Sequence, residues 1–179
     1  MDKVFIVVDA QNDFITDALR NEDAIAALPT VKKVVDYAVD NKQDLIFTMD
    51  THFENYLNTL EGKNLPVPHC ICNSQGWRIC EKVLPDNDYP FRTIVKESFG
   101  YGDWYEEVFD GLEEIVICGF DTDICVVSNA LILKACYPEV PITVISDACA
   151  GTTPANHAAA LAVLQSCQVK VMSWEDYLG

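Results

Sequence analysis

The sequence predicts a three-layer α/β fold: an open, mostly parallel sheet of about six strands with helices on both faces, Rossmann-like in its layering. Three observations carry this. Short apolar runs alternate along the chain with stretches of helical spacing, the pattern of repeated strand–crossover–strand units. The runs at 4–8, 44–50, 114–118 and 141–147 are largely continuous rather than alternating, as strands covered on both faces must be. Three strands end at a charged residue, Asp9, Asp50 or Lys96, and in open parallel sheets ligands bind beyond the carboxyl ends of the strands.

Taken in order, Val4 to Val8 is the first strand, and Ala10 to Phe14 is polar and turn-like. Residues 29–41 place Val31, Val34, Val35, Ala38 and Val39 at helical spacing, with Pro29 suited to the start. Asp44 to Asp50 is the second strand. Residues 51–74 form a long irregular segment with Pro66 and Pro68 and two of the three histidines; a loop of that length in a compact domain points to function. A short helix is predicted over 75–83, a strand over 93–96 and a short helix over 103–109. Strand 114–118 leads into helix 123–136, followed by strand 141–147, helix 154–166 and a last strand, 169–172. There are no repeats, linkers or low-complexity tracts, so residues 1–179 read as one domain.

Bulk charge excludes some functions. The net charge of −16 argues against nucleic acid or an anionic membrane as a partner held by charge. The N-terminus shows no signal-peptide pattern, and no apolar run approaches the roughly 18 residues of a membrane span, so a cytoplasmic protein is expected. The eight cysteines then read mostly as reduced, small and buried. Cys70-x-Cys72 with Cys80 lacks the second close pair that would complete a four-ligand zinc site.

The chemistry centres on Gly119 to Val126, the turn between a buried strand and a helix. Cys125 falls in the first turn of that helix, where unpaired N–H groups and the helix dipole favour a thiolate. Asp9 is placed to take its proton, Lys96 to hold both anions, and the amides of the turn to stabilise an oxyanion. Each residue alone also has a plainer reading, a packed cysteine or a strand-end cap. Asp50-x-His52 and His69 offer a carboxylate and two imidazoles, a set that suits Zn²⁺ and, less specifically, Fe²⁺ or Mn²⁺. His157, near a helix start, reads as structural or surface.

Asp9-x-Gln11-x-Asp13-Phe14, Lys96 and Gly119-x-x-Thr122-Asp123-x-Cys125-Val126 together resemble the cysteine hydrolases of the isochorismatase-like superfamily, nicotinamidases most closely. The resemblance runs over nearly the whole chain. It implies an Asp9–Lys96–Cys125 triad, a cis peptide at Phe120–Asp121, and an oxyanion hole from the N–H groups of Asp121 and Cys125. It implies a divalent metal, most simply zinc, on Asp50, His52 and His69. Glu61 falls where an acidic fourth ligand would, although it also reads as a solvated loop acid; Glu54 is the weaker substitute. Phe14, Phe99, Tyr101 and Phe120 are the expected pocket residues, with Trp104 also near the motifs. The sequence departs from the pattern before His69, where Leu65-Pro66-Val67-Pro68 has no aromatic ring; Trp77 or Tyr101 is the expected replacement. The implied activity is hydrolysis of nicotinamide, a small amide, to nicotinate and ammonia. The alternatives are a related hydrolase of another small amide or carbamoyl compound and a non-catalytic binding protein of the same fold. A homo-oligomer is a further expectation from the resemblance.

Overall fold

The computed structural model describes residues 3–107 and 111–179. Six strands, β1 (Lys3–Val8), β2 (Asp44–Asp50), β3 (Arg92–Lys96), β4 (Glu114–Phe120), β5 (Ile142–Ala150) and β6 (Lys170–Met172), form one sheet in the order β3-β2-β1-β4-β5-β6. Every pairing is parallel. The chain builds outward from β1 in one direction, then returns to add β4 on the other side. The carboxyl ends of β1 and β4 therefore flank the switch point, where open sheets of this kind form a crevice.

The predicted strands are all present, and the two central ones owe their position to composition. Val4 to Val8 and Ile115 to Ile117 are fully buried, which only β-branched and other apolar side chains tolerate on both faces. The helices are α1 (Asn12–Ile15), α2 (Glu22–Asp40), α3 (Leu60–Asn64), α4 (Val127–Cys136), α5 (Pro154–Ser166) and α6 (Trp174–Leu178). α2 packs along β1, β2, β4 and β5, and α6 joins it through Tyr37 against Trp174 and Tyr177. α4 and α5 pack together on the opposite face, as right-handed crossovers in opposite directions require.

The structure corrects several element boundaries. The helix expected from residue 29 begins at Glu22, capped by Asn21, whose side chain accepts from the N–H groups of Asp23 and Ala24. Pro29 lies inside it, because the buried stripe Ala24, Ala27, Leu28, Val31, Val34, Val35 and Ala38 runs through that position, and burial of that face outweighs one missing hydrogen bond. The helix predicted over 75–83 is absent. Ile79 instead bridges to Gln11, and one 3₁₀ turn covers Glu81–Val83. Of the helix expected over 103–109, the described part is a 3₁₀ turn at Trp104–Glu106; residues 108 and 109 lie outside the described residues. The long 51–74 segment carries a 3₁₀ turn at Tyr56–Asn58 and α3. No helix among the described residues is long and apolar enough to cross a membrane.

Candidate active site

Asp9 directly follows β1 with φ at 47°, in the left-handed region that costs a non-glycine residue of order 1 kcal/mol and is held only by its surroundings. Thr48 of β2 supplies them. The Asp9 N–H donates to Thr48 O and Oγ1, both at 3.2 Å, and the Thr48 hydroxyl donates back to Asp9 Oδ1 at 2.6 Å. The other oxygen, Oδ2, lies 2.6 Å from Lys96 Nζ. Lys96 closes β3 and is buried. Its ammonium also reaches Asp50 Oδ1 at 3.3 Å, Ser98 O at 3.1 Å and Cys125 Sγ at 3.6 Å. The structure thus brings Asp9, Lys96 and Cys125 together from three strand ends.

Cys125 sits on a wide turn, Thr122–Val126, closed by the Val126 N–H on Asp121 O at 3.0 Å, an i to i+5 bond. Such π-type turns recur at functional sites. The regular helix α4 starts only at Val127, so the thiol precedes it rather than riding on its first turn. The turn is anchored outside the site as well. Asp123 accepts from the Thr152 N–H at 2.8 Å and its hydroxyl at 2.6 Å, and Thr122 Oγ1 pairs with His157 Nδ1 at 2.8 Å. The peptide between Phe120 and Asp121 is cis.

Burial sets the electrostatics. Taken alone it would lower the Lys96 pKa, but the charges of Asp9, Cys125 and Asp50 overcome it and raise the value, so the ammonium stays charged. Asp9 is raised by burial against the pull of Lys96. Burial, then the charge of Asp9, pushes the Cys125 thiol well up, with Lys96 opposing. Loss of solvation thus works against the thiolate that the turn's dipole and Lys96 favour, which is why the thiol needs a base beside it.

The second cluster lies beside the first. Asp50 ends β2, and its backbone is clamped by the Gln11 side chain, which accepts from Asp50 N at 2.8 Å and donates to Asp50 O at 2.9 Å. His69 Nδ1 pairs with Val67 O at 2.8 Å, leaving Nε2 3.5 Å from Asp50 Oδ2. The next residue, Cys70, is fixed by its N–H on Asp13 Oδ2 at 2.6 Å. His52 Nε2 is buried, 3.0 Å from Asp50 Oδ2 and 3.4 Å from Glu61 Oε1, without a well-formed hydrogen bond among the described residues. Glu61 Oε1 is 3.7 Å from His69 Nε2. A Cβ on its neighbour Gly62 would fall 2.1 Å from Tyr56 O, so a glycine is what lets α3 press in and deliver Glu61. Among the described residues, Asp50, His52 and His69 are the group whose ligand atoms come within 4.8 Å of one another. A buried imidazole nitrogen facing two carboxylates without a hydrogen bond fits a shared cation, and N, N, O donors suit zinc, iron or manganese. Burial alone would raise the Asp50 carboxyl, yet the two imidazoles and Lys96 hold it far below the usual carboxylate range. Cys70, Cys72 and Cys80 form no such group, and all eight cysteines are free.

Both clusters open onto one cavity of about 380 Å³. Cys125, Asp50, His69 and Glu61 line it together with Phe14 and Phe99; Asp9 and Lys96 stand behind the lining. Tyr101 and Phe120 lie outside it, correcting two expected pocket residues. Tyr101 packs on Trp104 and its N–H is taken by Asn129, while Phe120 is fully buried in the core. Trp104 is core as well, and Trp77 ties its indole to Thr51 Oγ1 at 2.7 Å instead of facing the cavity. The remaining wall is Leu19, Arg20, Asn21, Glu22, Leu65, Asp121, Ile124 and Thr152, none singled out by the sequence for its side chain. The loop 16–21 carried no periodicity, and its Asp17 and Arg20 fall in no motif that would mark it.

A thiol lining one cavity, with a carboxylate and an ammonium just behind it, at the switch point of a parallel sheet makes the site of an enzyme. The isochorismatase domain family matches residues 3–176, and the chain belongs to that family. It is 24% identical to a nicotinamidase of Schizosaccharomyces pombe, over 96% of this chain and 93% of that protein. A nicotinamidase/pyrazinamidase from Bacillus subtilis superposes with a TM-score of 0.85 at 22% identity, covering 97% of this chain and all (100%) of the other. A pyrazinamidase of Pyrococcus horikoshii in complex with zinc superposes with a TM-score of 0.82 at 24% identity, with the same coverage, 97% and 100%.

Proposed function

We propose that the chain is a cysteine amidase that hydrolyses nicotinamide to nicotinate and ammonia. The observation that carries this reading is Lys96 Nζ, 2.6 Å from Asp9 Oδ2 and 3.6 Å from Cys125 Sγ, behind a cavity that also presents Asp50, His69 and Glu61. The names of the relatives support the substrate, and the zinc in one of them supports the metal.

Asp9 takes the thiol proton as Cys125 Sγ forms a bond to the amide carbon. Burial raises the thiol, while Lys96, 2.6 Å from Asp9 Oδ2, favours the ionised carboxylate that accepts its proton. The carbonyl electron pair moves onto oxygen, where the N–H groups of Asp121 and Cys125 receive it. Collapse of that oxyanion breaks the C–N bond, and the nitrogen departs as ammonia with the proton from Asp9. A water, deprotonated by Asp9, attacks the thioester carbon; the acid leaves, and sulfur regains its proton. Lys96 keeps carboxylate and sulfur aligned throughout. Asp50, His52 and His69, with Glu61 beside them, would hold a divalent ion, which supplies a coordination position for the ring nitrogen. Phe14, edge-on to His69 with centroids 6.1 Å apart, walls the cavity for a flat ring. A site built on a free thiol suits the reducing cytoplasm.

A second reading, a related hydrolase of another small amide or carbamoyl compound, is favoured by Leu65, an aliphatic side chain on the cavity wall. Ammonia release from nicotinamide, pyrazinamide and aliphatic amides, before and after chelation, separates the two. Release from the aromatic amides that falls on chelation supports the first; release from aliphatic or carbamoyl compounds alone supports the second. If no compound releases ammonia and Cys125 alkylates no faster than the other cysteines, the protein is a binder instead.

A further inference from the structure

The carboxylates of the site differ in what faces them. Asp9 faces Lys96, and Asp50 faces Lys96 and two imidazoles. Asp121 lines the same cavity beside Cys125, and among the described residues no cation pairs with it. Its one hydrogen-bond donor there is Asn21 Nδ2, at a long 3.4 Å, whose other N–H donates to Gly151 O at 2.8 Å. Asn21 Oδ1 is used in capping α2. Arg20, the guanidinium of the lining, pairs with Glu22 at 2.8 Å. Burial, then the charge of Asp123, lifts the Asp121 carboxyl to about 7; Asn21 opposes, Asp9 adds, and His69 acts weakly against the rise. The side chain caps no helix, and the hydrolytic steps use only its backbone N–H. A carboxylate at a cavity wall with one long hydrogen bond and no paired cation keeps acceptor capacity that a ligand can match in sites that read hydrogen bonds.

We infer that the Asp121 carboxylate determines specificity in this cavity, accepting a hydrogen bond from an amino N–H that the substrate carries apart from the amide being cut. The inference rests on the amidase reading and narrows it: among small ring carboxamides, those bearing an amino substituent are preferred over the bare ring. A charge-assisted hydrogen bond of this kind corresponds to a preference of about tenfold or more, and an analogue without the donor leaves the carboxylate desolvated and unmatched.

The test uses the full chain with Cys125→Ala. Calorimetric titration compares nicotinamide with its ring-amino derivatives, one for each open ring carbon. At least one derivative should bind about tenfold or more tightly than nicotinamide. Adding Asp121→Ala should erase that difference, and adding Asp121→Asn, which keeps the shape and a neutral acceptor, should retain part of it; circular dichroism confirms folding of each. The same ranking is read as ratios of kcat/KM for ammonia release with Cys125 intact, so any loss common to both amides cancels. Absence of a preferred derivative, or a preference that survives Asp121→Ala, overturns the assignment. An Asp121-dependent preference in binding with no ammonia released from any of these amides upholds Asp121 and sinks the amidase reading instead.

Discussion

The two ends of the sheet use similar groups to opposite effect. At the amino end, Lys3 on β1 meets Glu114 on β4 at 2.8 Å, and Tyr177 of α6 closes the triangle, accepting from Lys3 at 2.9 Å and donating to Glu114 at 3.0 Å. Thr143 takes the other Glu114 oxygen at 2.6 Å. Each Glu114 oxygen is satisfied, and the cluster staples the C-terminal helix to the central strands. At the carboxyl end, a lysine, carboxylates and a threonine recur, but the account does not close. Asp9 sits in a left-handed backbone conformation, and among the described residues His52 Nε2 has no hydrogen bond and Asp121 no paired cation. A closed cluster stabilises; an open one leaves groups for a ligand to complete.

The largest effect that would break this contrast comes from Cys125→Ala. Ammonia release should fall by about 10⁴-fold or more, while calorimetry still detects the amide and the melting temperature barely moves. Near-normal turnover in this variant would end the mechanism. Lys96→Met should follow. It leaves Asp9 and Asp50 buried without their shared counter-ion, and denaturant titration should register a loss of about 3–5 kcal/mol. Stripping metal with a chelator should lower thermal stability by roughly 3 kcal/mol, restored by zinc added at about a hundred times its Kd, and metal analysis of the untreated protein should find one ion per chain. Failure to retain any divalent ion would remove the Asp50–His52–His69 site.

Asp121→Asn should act in the other direction. The carboxyl is raised from 3.8 to about 7, so the folded state holds a proton that the unfolded chain has lost between these values, and wild-type stability falls as pH rises through that window. The variant escapes this cost. It should be more stable than wild type by about 2–4 kcal/mol at pH 8 and converge with it near pH 4, read by urea titration at both. The smallest effect belongs to the closed end. The Glu114 carboxyl is lowered: burial opposes, but the hydrogen bonds from Lys3 and Thr143 prevail. Its contribution is present above its ordinary 4.5 and lost as pH falls through the lower folded value. Glu114→Gln should therefore cost about 1 kcal/mol at neutral pH, less in acid, with turnover unchanged.

What could be read from the sequence divides along the same line. The central strands were legible because burial on both faces demands unbroken apolar runs, and Asp9 and Asp50 were legible as the charges that end them; Lys96 ends the shorter, partly exposed β3. The candidate metal set Asp50, His52 and His69 was weak by spacing alone and became legible through the family resemblance. Pro29 misled because it looks like a helix start, whereas the start was written in Asn21-Glu22-Asp23, a cap followed by acids. The 75–83 stretch misled because Ile79 and Val83 have helical spacing, yet Ile79 is used to pair with Gln11. Thr48 and the side chain of Asp121 went unseen for a different reason. Their roles exist only across chain separations, Thr48 against Asp9 and Asp121 against Asn21, and nothing local records such a contact. Tyr101 and Phe120 show the converse: a neighbour of a motif in sequence can turn its ring away from the cavity.

Gly119 stands opposite Val8 where β1 and β4 run out, and a Cβ placed on it would lie 2.1 Å from Val8 O. Asp9 is the residue after Val8, and the turn bearing Cys125 begins just after Gly119. The gap between Asp9 and the Cys125 sulfur, across which the proposed mechanism moves a proton, is thus gauged by two backbones touching at a position that has no side chain. The reacting groups do not set their own separation. A variant could keep every polar residue of the site and still fall silent, because the sheet beneath had been wedged open by a single methyl group.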